Sequence, residues 1–162
     1  MQVDAIETAA AETTGLDDFG DPTYRDGLAV LVDALDTEAR LSDLGVVALE
    51  AQLGTFLQNR LRIVDWRRRH AEVASESVVA PLVVVGLPRT GTTLLSSLLA
   101  CDPARRALRR WESTASIPPP EAATFDSDPR IEEARIAGGM LDALWTEYPD
   151  ARVVVKIGRA HV

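Results

Sequence analysis

Residues 81–101 read PLVVVGLPRTGTTLLSSLLAC: an uncharged β-branched run, a turn bearing two glycines and an amphipathic segment in immediate succession. Pro81 to Val85 has the pattern of a short strand buried on both faces of a parallel sheet. From Thr92 onward Leu94, Leu95, Leu98 and Leu99 recur at one-turn spacing, which predicts a helix with one apolar face, stopped by Asp102-Pro103. Between them the octet Gly86–Thr93 is confined to a tight loop that opens on a helix N-terminus.

That loop has the spacing of a phosphate-binding turn, with Gly86 and Gly91 separated by four residues. Gly91 lets the backbone turn sharply, and the unpaired amides at a helix start carry positive potential, so the loop predicts an anion site. Nucleotide kinases and NTPases place a lysine after the second glycine to reach the β and γ phosphates. Here Thr92 stands in its place, and Arg89 is the sole cation of the octet.

The run Pro88-Arg89-Thr90-Gly91-Thr92-Thr93 resembles, at every position, the 5′-phosphosulfate loop of sulfotransferases that use 3′-phosphoadenosine 5′-phosphosulfate (PAPS). Its arginine form is most similar to bacterial sulfotransferase-family proteins and tyrosylprotein sulfotransferases. The resemblance implies an α/β fold: a P-loop NTPase-like parallel sheet core, incomplete in this chain, behind an α-helical N-terminal extension. It divides the chain into residues 1–75 for the extension, 76–156 for the N-terminal part of the core, and a 157–162 tail. It also implies PAPS as sulfuryl donor, Arg89, Thr90, Gly91, Thr92 and Thr93 as donor-binding residues, and a small-molecule acceptor bearing a hydroxyl or amine. No metal is implied.

For chemistry the resemblance assigns Arg89 to the bridging oxygen as it leaves, and Glu112 to the acceptor proton. In several relatives a glutamate twenty-odd residues past the loop cation faces the acceptor. Glu112 has that spacing and follows Trp111, whose bulk would limit water. The competing reading of Glu112 is a salt-bridge partner for the neighbouring arginines. Lys156 fits either a core-strand lysine that reaches the sulfuryl group or the approach to a later strand, and both placements stay open.

Composition narrows the classes. The net charge of −8 argues against nucleic acid or an anionic membrane surface as partner, yet Pro81–Ser113 holds five arginines against Asp102 and Glu112. The basic part surrounds the loop. A lone cysteine, Cys101, excludes an internal disulfide, and its place at the end of an apolar helix predicts a buried thiol. The start lacks a signal sequence and no stretch reaches membrane-spanning length, so a cytoplasmic location is expected. One lysine against sixteen arginines fits a high-GC bacterial genome.

Along the chain, residues 1 to about 20 read as a weak helix or loose tail, with few large apolar groups. Asp21-Pro22 then introduces a helix to about Arg40, striped by Tyr24, Leu28, Leu31, Val32 and Leu35. A longer helix is expected from about Asp43 to Arg69, striped by Val46, Leu49, Leu53, Phe56, Leu57, Leu61 and Val64, packing antiparallel to the first. The basic run Arg67–His70 reads as the last turn complementing the helix dipole. Ala71 to Ala80 is a linker.

Ile117-Pro118-Pro119-Pro120 predicts an extended loop over the site, followed by a helix from about Arg130 to Glu147 and a second strand at Val153–Lys156. Ile157–Val162 resembles a translated adapter oligonucleotide, so those six residues are expected to be non-native and His161 receives no role. The 3′-phosphate motif of the family has no counterpart here, and transfer by these 162 residues alone is not expected. Two alternatives stand beside the resemblance: a nucleotide kinase or NTPase, and a non-catalytic nucleotide-binding module.

Overall fold

The computed structural model describes residues 1–87, 90–104 and 106–136. It divides into two compact units, Met1–Glu76 with Thr114–Pro119, and Ser77–Ser113 with the residues from Pro120 onward.

The first unit is three helices, α1 (Val3–Thr14), α2 (Tyr24–Thr37) and α3 (Asp43–Arg69), followed by a 3₁₀ turn at Ala71–Ser75. α3 begins where Ser42 caps it, its hydroxyl accepting from the Gly45 amide at 3.2 Å. It ends on Arg67–Arg69, cations suited to the negative end of the helix dipole. Of the two readings of residues 1 to about 20, weak helix or loose tail, the helix is the one that forms. α1 is a regular helix that contributes Ile6 and Ala10 to the core, with Leu53, Leu57 and Leu61 of α3 and Val32 of α2. Its alanines explain both the ambiguity and the outcome: they give little hydrophobic signal, but their small side chains let two helices approach closely. α1 packs against both other helices, mainly α3, whereas α2 and α3, expected to pair directly, make no backbone approach.

Gly15 closes α1 in the left-handed region (φ 67°), its amide reaching Ala11 O at 2.8 Å. Arg60 of α3 secures the following loop, donating from Nε to Phe19 O (2.7 Å) and from Nη2 to Asp21 O (2.8 Å) while lying over the Tyr24 ring. Asp21 accepts from the Thr23 amide at 2.9 Å, a turn that precedes α2 rather than a cap on its first helical residues. That bond, with Arg60 nearby, holds the Asp21 carboxyl below the usual range. Tyr24 donates to Glu7 Oε1 at 2.6 Å, and burial followed by that bond pushes its phenol up to about 12.

The expected parallel sheet is not formed among the described residues, which contain helices and irregular chain but no strand. Residues 81–87 run without regular structure, with Val83 72% and Val85 86% exposed. The reason is physical. A helix satisfies its own backbone groups, but a strand exists only as one side of a ladder, and nothing described pairs with 81–85. The other strand expected from the sequence, Val153–Lys156, lies outside the described residues, as do the tail 157–162 and most of the helix expected from Arg130 to Glu147, which is seen over 129–136.

The second unit also contains α4 (Thr92–Leu99) and α5 (Arg110–Thr114). α4 forms where its leucine spacing placed it, but Leu94, Leu95 and Leu98 are exposed. Cys101, expected to be buried, is exposed as well, its thiol donating to Ser97 O at 3.4 Å. No described helix is long and apolar enough to cross a membrane.

Candidate active site

The glycines of the loop have separate tasks. A Cβ on Gly86 would meet Thr92 Cγ2 at 2.7 Å and Thr90 Oγ1 at 2.9 Å, so only glycine lets the chain fold back on the threonines. Gly91 sits at φ 89° and ψ 10°, a left-handed residue immediately before α4. Thr90 closes the turn, its hydroxyl donating to Leu87 O at 2.6 Å. The first helical bond of α4 runs from the Leu95 amide to Gly91 O at 3.0 Å. The amides of Thr92, Thr93 and Leu94 therefore precede the hydrogen-bond ladder and carry the positive end of the helix dipole. Thr90, Gly91, Thr92 and Thr93 are thus brought together on one exposed turn. Pro88 and Arg89 lie outside the described residues.

Glu112 belongs to a different constellation. It is 3% exposed, one of two buried polar residues among those described. Its Oε1 pairs with the Arg106 guanidinium, and its Oε2 accepts from the Arg109 backbone amide at 2.8 Å. Arg109 precedes the first residue of α5, and Glu112 is the third, so the carboxylate reaches back to cap the helix start. Around it Trp111 tilts against Phe125 (centroids 5.6 Å apart), and the Arg109 and Arg106 guanidinium carbons lie 4.2 and 5.2 Å from the Phe125 centroid.

The periphery is ion-paired. Arg109 Nη2 donates to Asp126 at 2.9 Å. Arg130 makes a two-pronged pair with Asp128, Nε to Oδ1 at 2.8 Å and Nη2 to Oδ2 at 2.6 Å, while its guanidinium carbon lies 4.7 Å from the Trp111 centroid. That pairing lowers the Asp128 pKa and raises that of Arg130. The loop and Glu112 are therefore both organised, but separately, since α4 and α5 make no backbone approach to one another. Among the described residues no cluster of three or more His, Cys, Asp or Glu side chains could hold a metal ion.

Sequence reasoning missed Asn59, a buried amide on α3. It binds the chain after α5 reciprocally, Nδ2 donating to Ser116 Oγ at 3.1 Å and Oδ1 accepting from the Ser116 amide at 3.0 Å. The segment expected to form an open loop is thereby held to the helical unit.

Residues 81–152 match the model of the sulfotransferase family. Among solved structures, the chain is similar to the sulfotransferase STF1 of Mycobacterium tuberculosis H37Rv, with 35% identity and a TM-score of 0.70 over 91% of this chain and 39% of that one. It is also similar to the sulfotransferase STF9 of Mycobacterium avium, with 32% identity and a TM-score of 0.69 over 99% of this chain and 38% of that one. The chain thus spans about two fifths of the length of these solved relatives. No curated protein matches it.

Proposed function

We propose, for a chain that belongs to the sulfotransferase family, that the turn before α4 holds the 5′-phosphosulfate of PAPS and that the protein transfers its sulfuryl group to a small acceptor. The observation that carries this reading is the arrangement at Gly86–Thr93: a sharp turn, three first-turn amides and threonine hydroxyls, with Thr92 where a kinase needs lysine. This donor set suits a phosphosulfate, whose charge is spread over several oxygens. Bound there, PAPS would supply the sulfuryl group and leave as adenosine 3′,5′-bisphosphate. No magnesium is needed.

The residues divide the work as follows. The amides of Thr92 and Thr93 and their hydroxyls fix the phosphate, Thr90 holds the turn through its bond to Leu87 O, and Arg89 neutralises the bridging oxygen as its bond to sulfur breaks. Glu112 takes the proton from the acceptor hydroxyl or amine as the new bond to sulfur forms. Because Arg106 and the Arg109 amide engage both carboxylate oxygens, Arg106 must yield Oε1 for that step. Sulfuryl transfer from PAPS to a phenolic acceptor, measured on a chain extended to the length of its solved relatives, tests the assignment. Arg89→Ala is expected to weaken donor binding and slow transfer together, and unchanged kinetics would remove Arg89 from the site.

A further inference from the structure

The helical unit carries a groove of about 620 Å³ along α3, remote in sequence from the loop and from Glu112. Its size falls within the range of small-molecule sites, roughly 300–1,000 Å³. The floor is the face of α3 next to the one that enters the core. Leu53, Leu57 and Leu61 pack inward, while Phe56, Ile63 and Val64 line the groove at helical spacing, facing the turn at Gly20 and Asp21. Phe56 is 49% exposed and offers an aromatic face.

The charge along this groove opposes that of the whole chain. Three arginines line it, Arg60, Arg67 and Arg68, against one carboxylate, Asp21, in a chain of net charge −8. Arg68 is committed to Asp65 and Asp18. Arg60 is fixed by two backbone carbonyls, which hold its guanidinium in place without neutralising it. Arg67 makes no ion pair among the described residues, one turn beyond Ile63 and Val64. An apolar floor ending in an uncommitted guanidinium suits one kind of solute, a flat apolar body bearing an anionic group.

We infer that this groove is a binding site for small aryl anions, with Phe56, Ile63 and Val64 receiving the ring and Arg67 the charge. The test uses 2-naphthyl sulfate and uncharged 2-naphthol as probes, by calorimetry on the intact chain. The sulfate is expected to bind at least about tenfold more tightly than the naphthol, the difference a charge-assisted contact confers. Arg67→Gln should remove that difference and leave naphthol binding unchanged, and Phe56→Ala should weaken both probes. Arg67 is exposed, so its variant should keep the parent's helical circular dichroism and thermal midpoint. Equal affinity for the two probes, or naphthyl sulfate binding unaffected by Arg67→Gln, would overturn the inference.

Discussion

In the helical unit apolar side chains recur every third or fourth residue and meet partners: Ile6 and Ala10 of α1 close over Leu53, Leu57 and Leu61 of α3, and Leu61 is fully buried. In the second unit equally apolar residues, Val83, Val85, Leu94 and Leu98, stand exposed, and the buried described residues are Trp111 and its neighbour Glu112. The contrast shows what each kind of sequence requires. Helical segments complete their hydrogen bonds internally and need only one apolar face covered, which neighbours close in sequence can do. The valine run requires a ladder on each side before its side chains gain anything. Where the second unit is ordered, polar chemistry does the ordering, through a capping carboxylate, guanidinium groups over aromatic rings and a two-pronged ion pair.

The largest expected difference sets one unit against the other. Leu61→Ala should destabilise the helical unit by about 2–5 kcal/mol, the usual cost of a cavity in a packed core. Val83→Ala should change stability by less than about 0.5 kcal/mol. Chemical denaturation followed by circular dichroism reads both, and similar losses would erase the contrast. Next, in a chain extended to the length of its solved relatives, Glu112→Gln should reduce transfer by roughly a hundredfold while adenosine 3′,5′-bisphosphate binding stays near the parent value. A decrease below about threefold would make Glu112 a structural cap and ion-pair partner only.

Asn59→Ala removes a reciprocal pair of hydrogen bonds from a buried position and should cost about 1–2 kcal/mol. Hydrogen exchange at the Ser116 amide is the sharper readout, because that amide donates directly to Asn59. Unchanged exchange would mean that the segment is held by something other than this amide.

The smallest effect is a pH dependence confined to the helical unit. The Tyr24 phenol is raised to about 12 in the folded chain from an ordinary value of 10. Its contribution is therefore complete below pH 10 and is lost as pH rises toward 12, because the unfolded chain releases the proton first. Thermal midpoints should fall over that interval, and Tyr24→Phe should flatten the decline.

Legibility in the sequence followed the same division. α3 was readable to its ends from its apolar stripe and basic last turn, and the structure adds Ser42 as the cap that fixes its start. α1 was read only as a weak helix or loose tail, since alanine gives no periodic signal until a partner helix is known. The tight turn before α4 was legible because its spacing is local, whereas the need for glycine at Gly86 appears only once Thr90 and Thr92 fold back on it. The strand at 81–85 was read from composition alone, and composition does not supply a neighbour. Glu112 was found by its distance from the loop cation, but its capping of α5 depends on where that short helix begins.

The central claim is that the turn before α4 serves a phosphosulfate donor rather than a nucleoside triphosphate. Calorimetry on a chain extended to the length of its solved relatives, comparing adenosine 3′,5′-bisphosphate with ATP in the presence of magnesium or chelator, tests it most directly. Tighter binding of the bisphosphate, unchanged by chelator, is the predicted result. Tighter binding of ATP that depends on magnesium would contradict it.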